Sequence, residues 1–561
     1  MPTDKESWLA ARQHPPEHLA VAQQALEAVR AGIAVEDAIR KFRLPGGAYL
    51  PKHLLVSAYK QLTENGLWQP DPALLERIRL KPVRTLSGVT TVTVLTKPYP
   101  CPGQCIFCPT DERMPKSYLP DEPGARRGLE HGYDPYDQVA SRIRALDQVG
   151  HPTDKIELLI LGGTWSAYRR DYQEWFVQRC FEAMNSLTPE RSFAAPPSPA
   201  KQERGEEALA TIHLANETTA HRNVGLVIET RPDEITPDEL AWLRQLGVTK
   251  VQMGAQSLDD RILELNQRGH TLAVTQRAVA LLRAAGFKIV LHWMPNLLGA
   301  TPDSDREDFA RLWVDLCPDE IKIYPTQLLA NADLYQNWLR GEYTPYTTGE
   351  LIALIADIKP TIPRYCRVNR VIRDIPSTEV VQGNKRTSLR QDIQAELARR
   401  GTRCDCIRCR EVKGGRVEVA TLRLEHLVYT AAGAEEHFLS FVTPEGGEHR
   451  SQIAGFLRLS LPGPASPATG LRDLTDERST RPAAIIREVH VYGQSLVIGS
   501  DRQGSAQHAG LGTQLLHKAD EIANERGYTR MAVIAAVGTR QYYIHRGFER
   551  GELYLVKDLT L

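Results

Sequence analysis

The sequence predicts an α/β fold in two parts, a partial (β/α)6 barrel followed by a smaller α+β domain, with a helical region ahead of the barrel and a short linker between the two parts. Three observations carry this reading. Short apolar segments recur, each followed by a polar loop and a longer stretch of helical periodicity. The residues just past those segments are polar or glycine-rich, as they are where barrel strands end at a site. Beyond about Val417 the strands follow one another with few helices between them, until a glycine-rich turn opens one long helix.

Each element follows in chain order. Residues 1–80 place apolar side chains at helical spacing, as in HLAVAQQALEAVRAGIAVEDAIRKF and PALLERIRL, and read as a helical region. At Gly88 the period changes to the alternation of GVTTVTVLTKPYP, a strand. Further strands are expected from near Lys155, Asn223, Lys250, Phe287 and Asp319, which gives six strand–helix units within 81–360. Their polar ends are the Cys101 loop, Gly162 to Thr164, Glu229 to Arg231, Gln256 and Ser257, His292 and Met294, and Lys322 and Tyr324. Residues 192–208 and 461–482 are Pro-rich and read as loops. A basic linker spans 361–415, and 416–561 form the second domain.

Bulk properties narrow the function classes. At 561 residues the chain exceeds what one core usually supports, and its formal net charge is zero, so any nucleic-acid surface must be a local patch. The N-terminus lacks the apolar core of a signal peptide and no apolar run is long enough to span a bilayer, so a soluble cytoplasmic protein without membrane contact is expected. Six of the nine cysteines fall in two tight clusters, which suits metal sites in a reducing compartment better than disulfides.

Cys101, Cys105 and Cys108, in CPGQCIFC, offer three thiolates for three irons of a four-iron cluster, leaving one iron without a protein ligand. A zinc knuckle is the alternative, but it needs a fourth donor, and the nearest histidine is His131. Cys404, Cys406 and Cys409 form a CxCxxC cluster that suits structural zinc, with Cys366 or a histidine open as the fourth ligand. Residues 361–413 hold 13 Lys or Arg against 6 Asp or Glu, an excess of seven that would suit phosphates. Arg370, Arg373, Lys385 and Arg386 are the candidates there, with Lys81, Arg84 and the N-terminal helices of residues 1–80 extending the same nucleic-acid-binding surface. Gln507, Gly510 and Gly512 precede the helix TQLLHKADEIANERG, a turn whose backbone N–H groups fit a pyrophosphate.

The CxxxCxxC spacing after the first strand of a partial barrel resembles the radical SAM superfamily. That resemblance implies a [4Fe-4S] cluster and S-adenosylmethionine, with Gly162 and Gly163 near the methionine amino group and Glu229 and Gln256 on the nucleoside side. The glycine turn after REVHVYG resembles the coenzyme loop of the GNAT acetyltransferases, a fold that commonly presents a tyrosine to the coenzyme sulfur; Tyr542 and Tyr543 stand there. From about Lys81 the order KPVRTLSGV, DKIELLILGGT, IETRPD, QRGHT, HWMPNL, IKIYPT, RVNRVIRDIP, REVHVYG and GTRQYY resembles the family of the Elongator catalytic subunit and its stand-alone prokaryotic counterparts. Asn296 stands where that pattern often has Asp.

The family resemblance implies a 5-carboxymethyl group built on the wobble uridine of tRNA from acetyl-CoA. A 5′-deoxyadenosyl radical would take a hydrogen from the acetyl methyl, and the carbon radical would attack uridine C5. Motif match adds acetyl-CoA contacts at Lys155, Glu488, Val489, His490, Val491, Leu511, Gly512, Thr513 and Tyr543. The implied partners are the tRNA anticodon stem-loop and an electron donor, and a homodimer stays open. A rival reading makes the second domain a protein lysine acetyltransferase with the barrel as scaffold, which predicts acetyl transfer to peptides without S-adenosylmethionine or reductant. A non-enzymatic tRNA-binding platform would tolerate loss of the cysteines.

Overall fold

The computed structural model describes residues 14–187, 205–413, 417–446, 450–476, 481–493 and 510–559. Seven strands form one sheet in sequence order: β1 (Thr90–Leu95), β2 (Lys155–Leu161), β3 (Arg222–Thr230), β4 (Lys250–Gln256), β5 (Lys288–Trp293), β6 (Glu320–Ile323) and β7 (Arg367–Arg370). All neighbours pair in parallel. The six expected strands are present. The seventh, β7, lies in the stretch read as linker, because its four residues RVNR carry no apolar run.

The sheet is an open half-barrel whose edges are β1 and β7. Along β2 burial alternates with the strand period, so Ile156, Leu158 and Ile160 face the helices while Glu157, Leu159 and Leu161 face inward. At the β1 edge the Gln138 amide, from the helix Pro135–Gln148, donates to Leu95 O at 2.9 Å and accepts from Leu95 N at 2.8 Å, pairing backbone groups the sheet leaves over. Arg390 does similar service at the other edge, donating to Asn369 O at 3.1 Å.

The second sheet has the order β13-β14-β12-β11-β10-β9-β8. Its strands are β8 (Arg423–Ala431), β9 (Ala434–Val442), β10 (Ile453–Pro462), β11 (Ala484–Val491), β12 (Arg530–Val533), β13 (Glu549–Arg550) and β14 (Leu555–Asp558). Only β11 and β12 pair in parallel; the other neighbours are antiparallel. The helix Leu511–Glu525 packs on this sheet through Leu515, Leu516, Ala519, Ile522 and Ala523. At the N-terminus the helices Pro16–Arg30, Val35–Lys41, Lys52–Glu64 and Pro72–Ile78 bury a core of their own. Among the described residues no helix is long and apolar enough to cross a membrane.

The second domain sits against the N-terminal ends of the barrel strands. Gly538 approaches the backbone of Asn223 so closely that a Cβ there would lie 2.8 Å from its carbonyl oxygen. Tyr554 donates to Ala285 O at 2.7 Å and Arg244 to Leu553 O at 2.8 Å. Buried ion pairs carry the contact further: Lys250 meets Glu157 at 2.6 Å and Glu320 at 3.4 Å, Lys288 joins Glu320 to Glu488, and Arg458 joins Glu488 to Asp319. Arg487 then joins Asp319 to Glu436, which Arg283 reaches at 3.3 Å.

Candidate functional site

One cavity of about 1120 Å³ occupies the inside of the half-barrel and runs the length of its strands. Cys108, Glu229 and His292 line it at the C-terminal ends, and Glu488, His490 and Tyr543 line it where the second domain closes the other end. Part of each set that sequence reasoning assigned therefore faces one space: Cys108, Glu229 and Gln256 from the first, and Glu488, Val489, His490 and Tyr543 from the second.

At the first end, the loop after β1 holds Cys101, Cys105 and Cys108. The Cys101 thiol lies 3.5 Å from Thr164 Oγ1 and accepts from Gly103 N at 3.4 Å. A Cβ on Gly103 would meet the Arg231 guanidinium. Arg268 Nη1 donates to Cys105 Sγ at 3.5 Å. The Cys105 thiol is pulled down to about 5, first by its hydrogen bond with Cys108 and then by Arg268 and Arg231, while Cys108 is pushed up.

Gly162 and Gly163 follow β2 at φ +150° and +87°, and a side chain on Gly162 would strike Thr96. Glu229 accepts from Tyr118 at 2.9 Å. Gln256 holds φ +69° at a register shift in the β4–β5 pairing, and its Oε1 is buried without a partner. Strain and an unpaired acceptor at one residue mark a place built to meet a ligand. Next to it, Lys322 and His292 both meet Gln252 Oε1, His292 at 3.2 Å. Burial pulls Lys322 down to about 8 and His292 well below its usual value.

At the second end, Gly510 at φ +70° caps the helix Leu511–Glu525. Gln507 lies outside the described residues. Gly512 leaves room for the Tyr542 hydroxyl, which a Cβ would strike; Thr513 accepts from Arg546 at 3.1 Å, and Arg546 stacks 3.7 Å over Tyr542. Tyr543 is buried, edge-on to Tyr542 and Phe548, and it lines the cavity with Glu488, Val489 and His490. The geometry therefore separates the two tyrosines that the sequence left equivalent: Tyr542 backs the glycine turn and Tyr543 faces the cavity. Burial raises the Tyr543 phenol, so it stays protonated and can donate. Val491, Gly510, Leu511, Gly512 and Thr513 are not among the cavity-lining residues. Lys155, at the start of β2, pairs in register with Arg222 and is partly buried, close to the Gly538 contact and off the cavity wall. The Glu488 carboxylate, which lines the cavity, is held by Lys288 and Arg458.

The basic candidates divide. Arg84 and Arg370 are exposed and line opposite lips of the cavity mouth, beside β1 and β7; Arg370 also pairs with Asp374. Lys81, Lys385 and Arg386 are exposed away from that mouth. Arg373 lines the same cavity and is engaged by Glu122 at 2.8 Å and by Ser117, so it also fixes the loop after the cysteines. Sequence reasoning missed Arg127 and Arg142, which line the cavity beside Arg84. Burial, then Arg127 and Arg84, lowers Arg142 to about 10. Their signal was a basic residue on an otherwise ordinary helix face, which no pattern distinguishes.

Cys404, Cys406 and Cys409 bring their sulfurs within 4.8 Å of one another, the one such trio among the described residues. Cys366 is buried nearby and raises no fourth donor into that group, although its carbonyl accepts from Ile407 N at 2.9 Å.

Similar proteins agree with this arrangement. The Radical SAM superfamily profile matches residues 99–312, and the Radical_SAM C-terminal domain matches 318–399. The tRNA uridine(34) acetyltransferase of Dehalococcoides mccartyi is 40% identical over 85% of this chain and 99% of its own length. Elongator complex protein 3 of Saccharomyces cerevisiae is 32% identical over 87% of this chain and 86% of its own. Among solved structures, the archaeal Methanocaldococcus infernus Elp3 with an N-terminal deletion superposes with a TM-score of 0.70 at 34% identity, covering 85% of this chain and all of that one. A radical SAM domain implies an iron–sulfur cluster and S-adenosylmethionine, and the thiol trio, orphaned Gln256 and glycine cradle fit that pair. Identity at this level over nearly the full length, with both ends of one cavity in place, puts the chain in the family of the tRNA uridine(34) acetyltransferases and Elongator complex protein 3.

Proposed function

We propose that the chain modifies the wobble uridine of tRNA, forming 5-carboxymethyluridine from acetyl-CoA. The observation that carries this is the single cavity joining the Cys108 end to the Tyr543 end, since a two-carbon fragment bound at one end needs an unbroken path to the other. When bound, the cluster would supply the electron that cleaves the sulfonium of S-adenosylmethionine to a 5′-deoxyadenosyl radical. Cys101, Cys105 and Cys108 hold it; Gly162, Gly163, Glu229 and Gln256 hold the nucleoside. The glycine turn at Gly510 and Gly512 cradles the coenzyme pyrophosphate at a helix N-terminus. As water hydrolyses the thioester, Tyr543, kept protonated by burial, donates to the departing thiolate.

The RNA enters between the β1 and β7 edges. Arg84, Arg127 and Arg142 on one lip and Arg370 and Arg408 on the other would meet backbone phosphates of an anticodon stem-loop, and the open half-barrel admits a flipped base. Cys404, Cys406 and Cys409 hold a structural zinc that staples the segment behind β7. The protein works in the cytoplasm with an external electron donor.

Anaerobic reconstitution with iron and sulfide, then incubation with S-adenosylmethionine, acetyl-CoA, dithionite and tRNA, tests this by nucleoside mass spectrometry. Carboxymethyluridine is expected from the intact chain and none from Cys105→Ala. Product from the cysteine variant would defeat the radical route, and acetyl transfer to added peptides without S-adenosylmethionine or reductant would instead favour the lysine acetyltransferase reading.

A further inference from the structure

Arg231 and Asp233 of ETRPD and Arg268 of QRGHT converge on the cysteine loop without a role in the chemistry above. Gln267 at φ +51° and Gly269 at φ +79° fold QRGHT into a tight turn after the helix Asp260–Leu265. The turn points the Arg268 guanidinium at Cys105, and Arg268 O accepts from Arg231 Nη2 at 3.0 Å. Both arginines are buried, at 6% and 4% exposure.

Their counter-charges differ. Arg231 is paired with Asp233 at 2.9 Å, although its Nη1 is buried without a partner beside Gly103. Arg268 has Gly254 O at 2.7 Å and the Cys105 sulfur, its Nε has no partner, and among the described residues no carboxylate lies within ion-pair distance of it. A buried guanidinium without an anion is costly, so the fold has kept a cation here for an anion that belongs to the site. A four-iron cluster on three thiolates is such an anion, and it becomes one unit more negative when it takes an electron.

We propose that Arg268, assisted by Arg231, is the positioning and counter-charge residue of the iron–sulfur centre, raising its reduction potential so that the donor's electron is held. The proposal rests on the reading that Cys101, Cys105 and Cys108 bind a cluster. A cation beside the sulfurs stabilises the reduced form more than the oxidised one, and its N–H groups aimed at sulfur act in the same direction. The electron comes from the external reductant, and the cluster is the group reduced.

The test is an EPR-monitored redox titration of the anaerobically reconstituted full chain, without S-adenosylmethionine or RNA, with dithionite and mediators setting the potential. Arg268→Met is expected to hold full iron while its reduced-to-oxidised ratio at a fixed potential falls about tenfold, equivalent to about 59 mV for a one-electron couple. Arg268→Lys, which keeps the charge, should restore the ratio to within about threefold of the parent. Asp233→Asn, which frees Arg231 from its carboxylate, should raise the ratio. Arg268→Met with full iron and the parental titration overturns the proposal. Should Arg268→Met fail to take up iron, uptake by Arg268→Lys supports the charge role; failure of both lysine and methionine variants, with Asp233→Asn unshifted, overturns it. An intact chain that binds no cluster would sink the reading beneath it as well, whereas a loaded chain with flat variants sinks this proposal alone.

Discussion

Replacing Arg487 by Met should loosen the barrel from the second domain more than any single surface change. Arg487 is fully buried and donates to Asp319 Oδ1 at 3.0 Å, to Glu436 Oε2 at 2.8 Å and to Phe287 O at 3.0 Å, with a further contact to Asp319 Oδ2. The network around it pairs Asp319, Glu436, Glu488, Glu320 and Glu157 with Arg487, Arg458, Arg283, Lys288 and Lys250. Removing one cation leaves the set one charge negative in the interior, which typically costs about 3–5 kcal/mol. Asp319 keeps Arg458 at 3.4 Å and Glu436 keeps Arg283 at 3.3 Å, so the lower end, about 3 kcal/mol, is expected. At roughly 2–4 °C per kcal/mol for units of this size, the transition should fall by about 6–12 °C in scanning calorimetry at neutral pH.

The sign with pH follows from Asp319, whose carboxyl the arginines Arg487, Arg458 and Arg283 hold well below the usual range against the cost of burial. A depressed carboxylate stabilises the fold above its unfolded value, about 3.9, and loses that contribution as pH falls toward the folded one. The gap between parent and Arg487→Met should therefore be full at pH 7 and narrow below about pH 4. Adding Asp319→Asn to the variant removes the stranded charge and should recover part of the loss. A fall of less than about 2 °C, or a gap that does not narrow in acid, would refute the assignment of the interface to these charges.

Further outcomes follow from single groups. Burial raises Asp305 to about 7 while it accepts from Asn296 N at 2.8 Å and Tyr346 at 3.0 Å, so the fold gains from its protonated form and loses that gain as pH rises from about 4 to 7. Asp305→Asn should flatten that loss and stabilise the chain by about 2–3 kcal/mol at pH 8 in urea titrations; equal pH dependence in both proteins would count against it. Tyr543→Phe should lower nucleoside product by about a hundredfold while Tyr542→Phe stays within about threefold, and the reverse order would exchange their roles. Cys406→Ser should abolish the bound zinc, about one equivalent by elemental analysis, with a lower melting temperature; an unchanged metal content would dismiss the site. Arg142→Gln should weaken tRNA binding evenly across sequences and reduce the salt slope by about 1, measured by filter binding from low to high salt.

Most of the fold was legible because parallel strands buried on both faces read as dense apolar runs, and KIELLILGG and FKIVLHWMPN announce themselves. β7 escaped because its residues, RVNR, are polar and its strand status comes only from pairing with β6. The second domain's order, with β13 and β14 outside β12, was equally hidden, since a two-residue strand such as β13 carries no period. The arginine interface was invisible for a plainer reason: Arg458 and Arg487 look like ordinary polar residues on strands until opposite charges arrive from segments more than a hundred residues away.

The site shows a sharper division between what a motif states and what it conceals. A cysteine spacing points to its ligand because three thiolates can reach one cluster from one loop, and the glycine at 162 follows from an approach to Thr96 that a Cβ forbids. Charge assignments do not follow in that way. Glu488 matches a coenzyme motif, yet its side chain closes the ion network between Lys288 and Arg458, while Val489 and His490 beside it line the cavity. One strand, β11, thus anchors the domain through some side chains and presents the cavity wall through its neighbours. If that division holds, Glu488→Gln should cost stability, because Lys288 and Arg458 lose an anion, while the affinity for acetyl-CoA by calorimetry stays within about threefold. A large loss of affinity in a variant that keeps its melting temperature would place the carboxylate on the coenzyme and the network second.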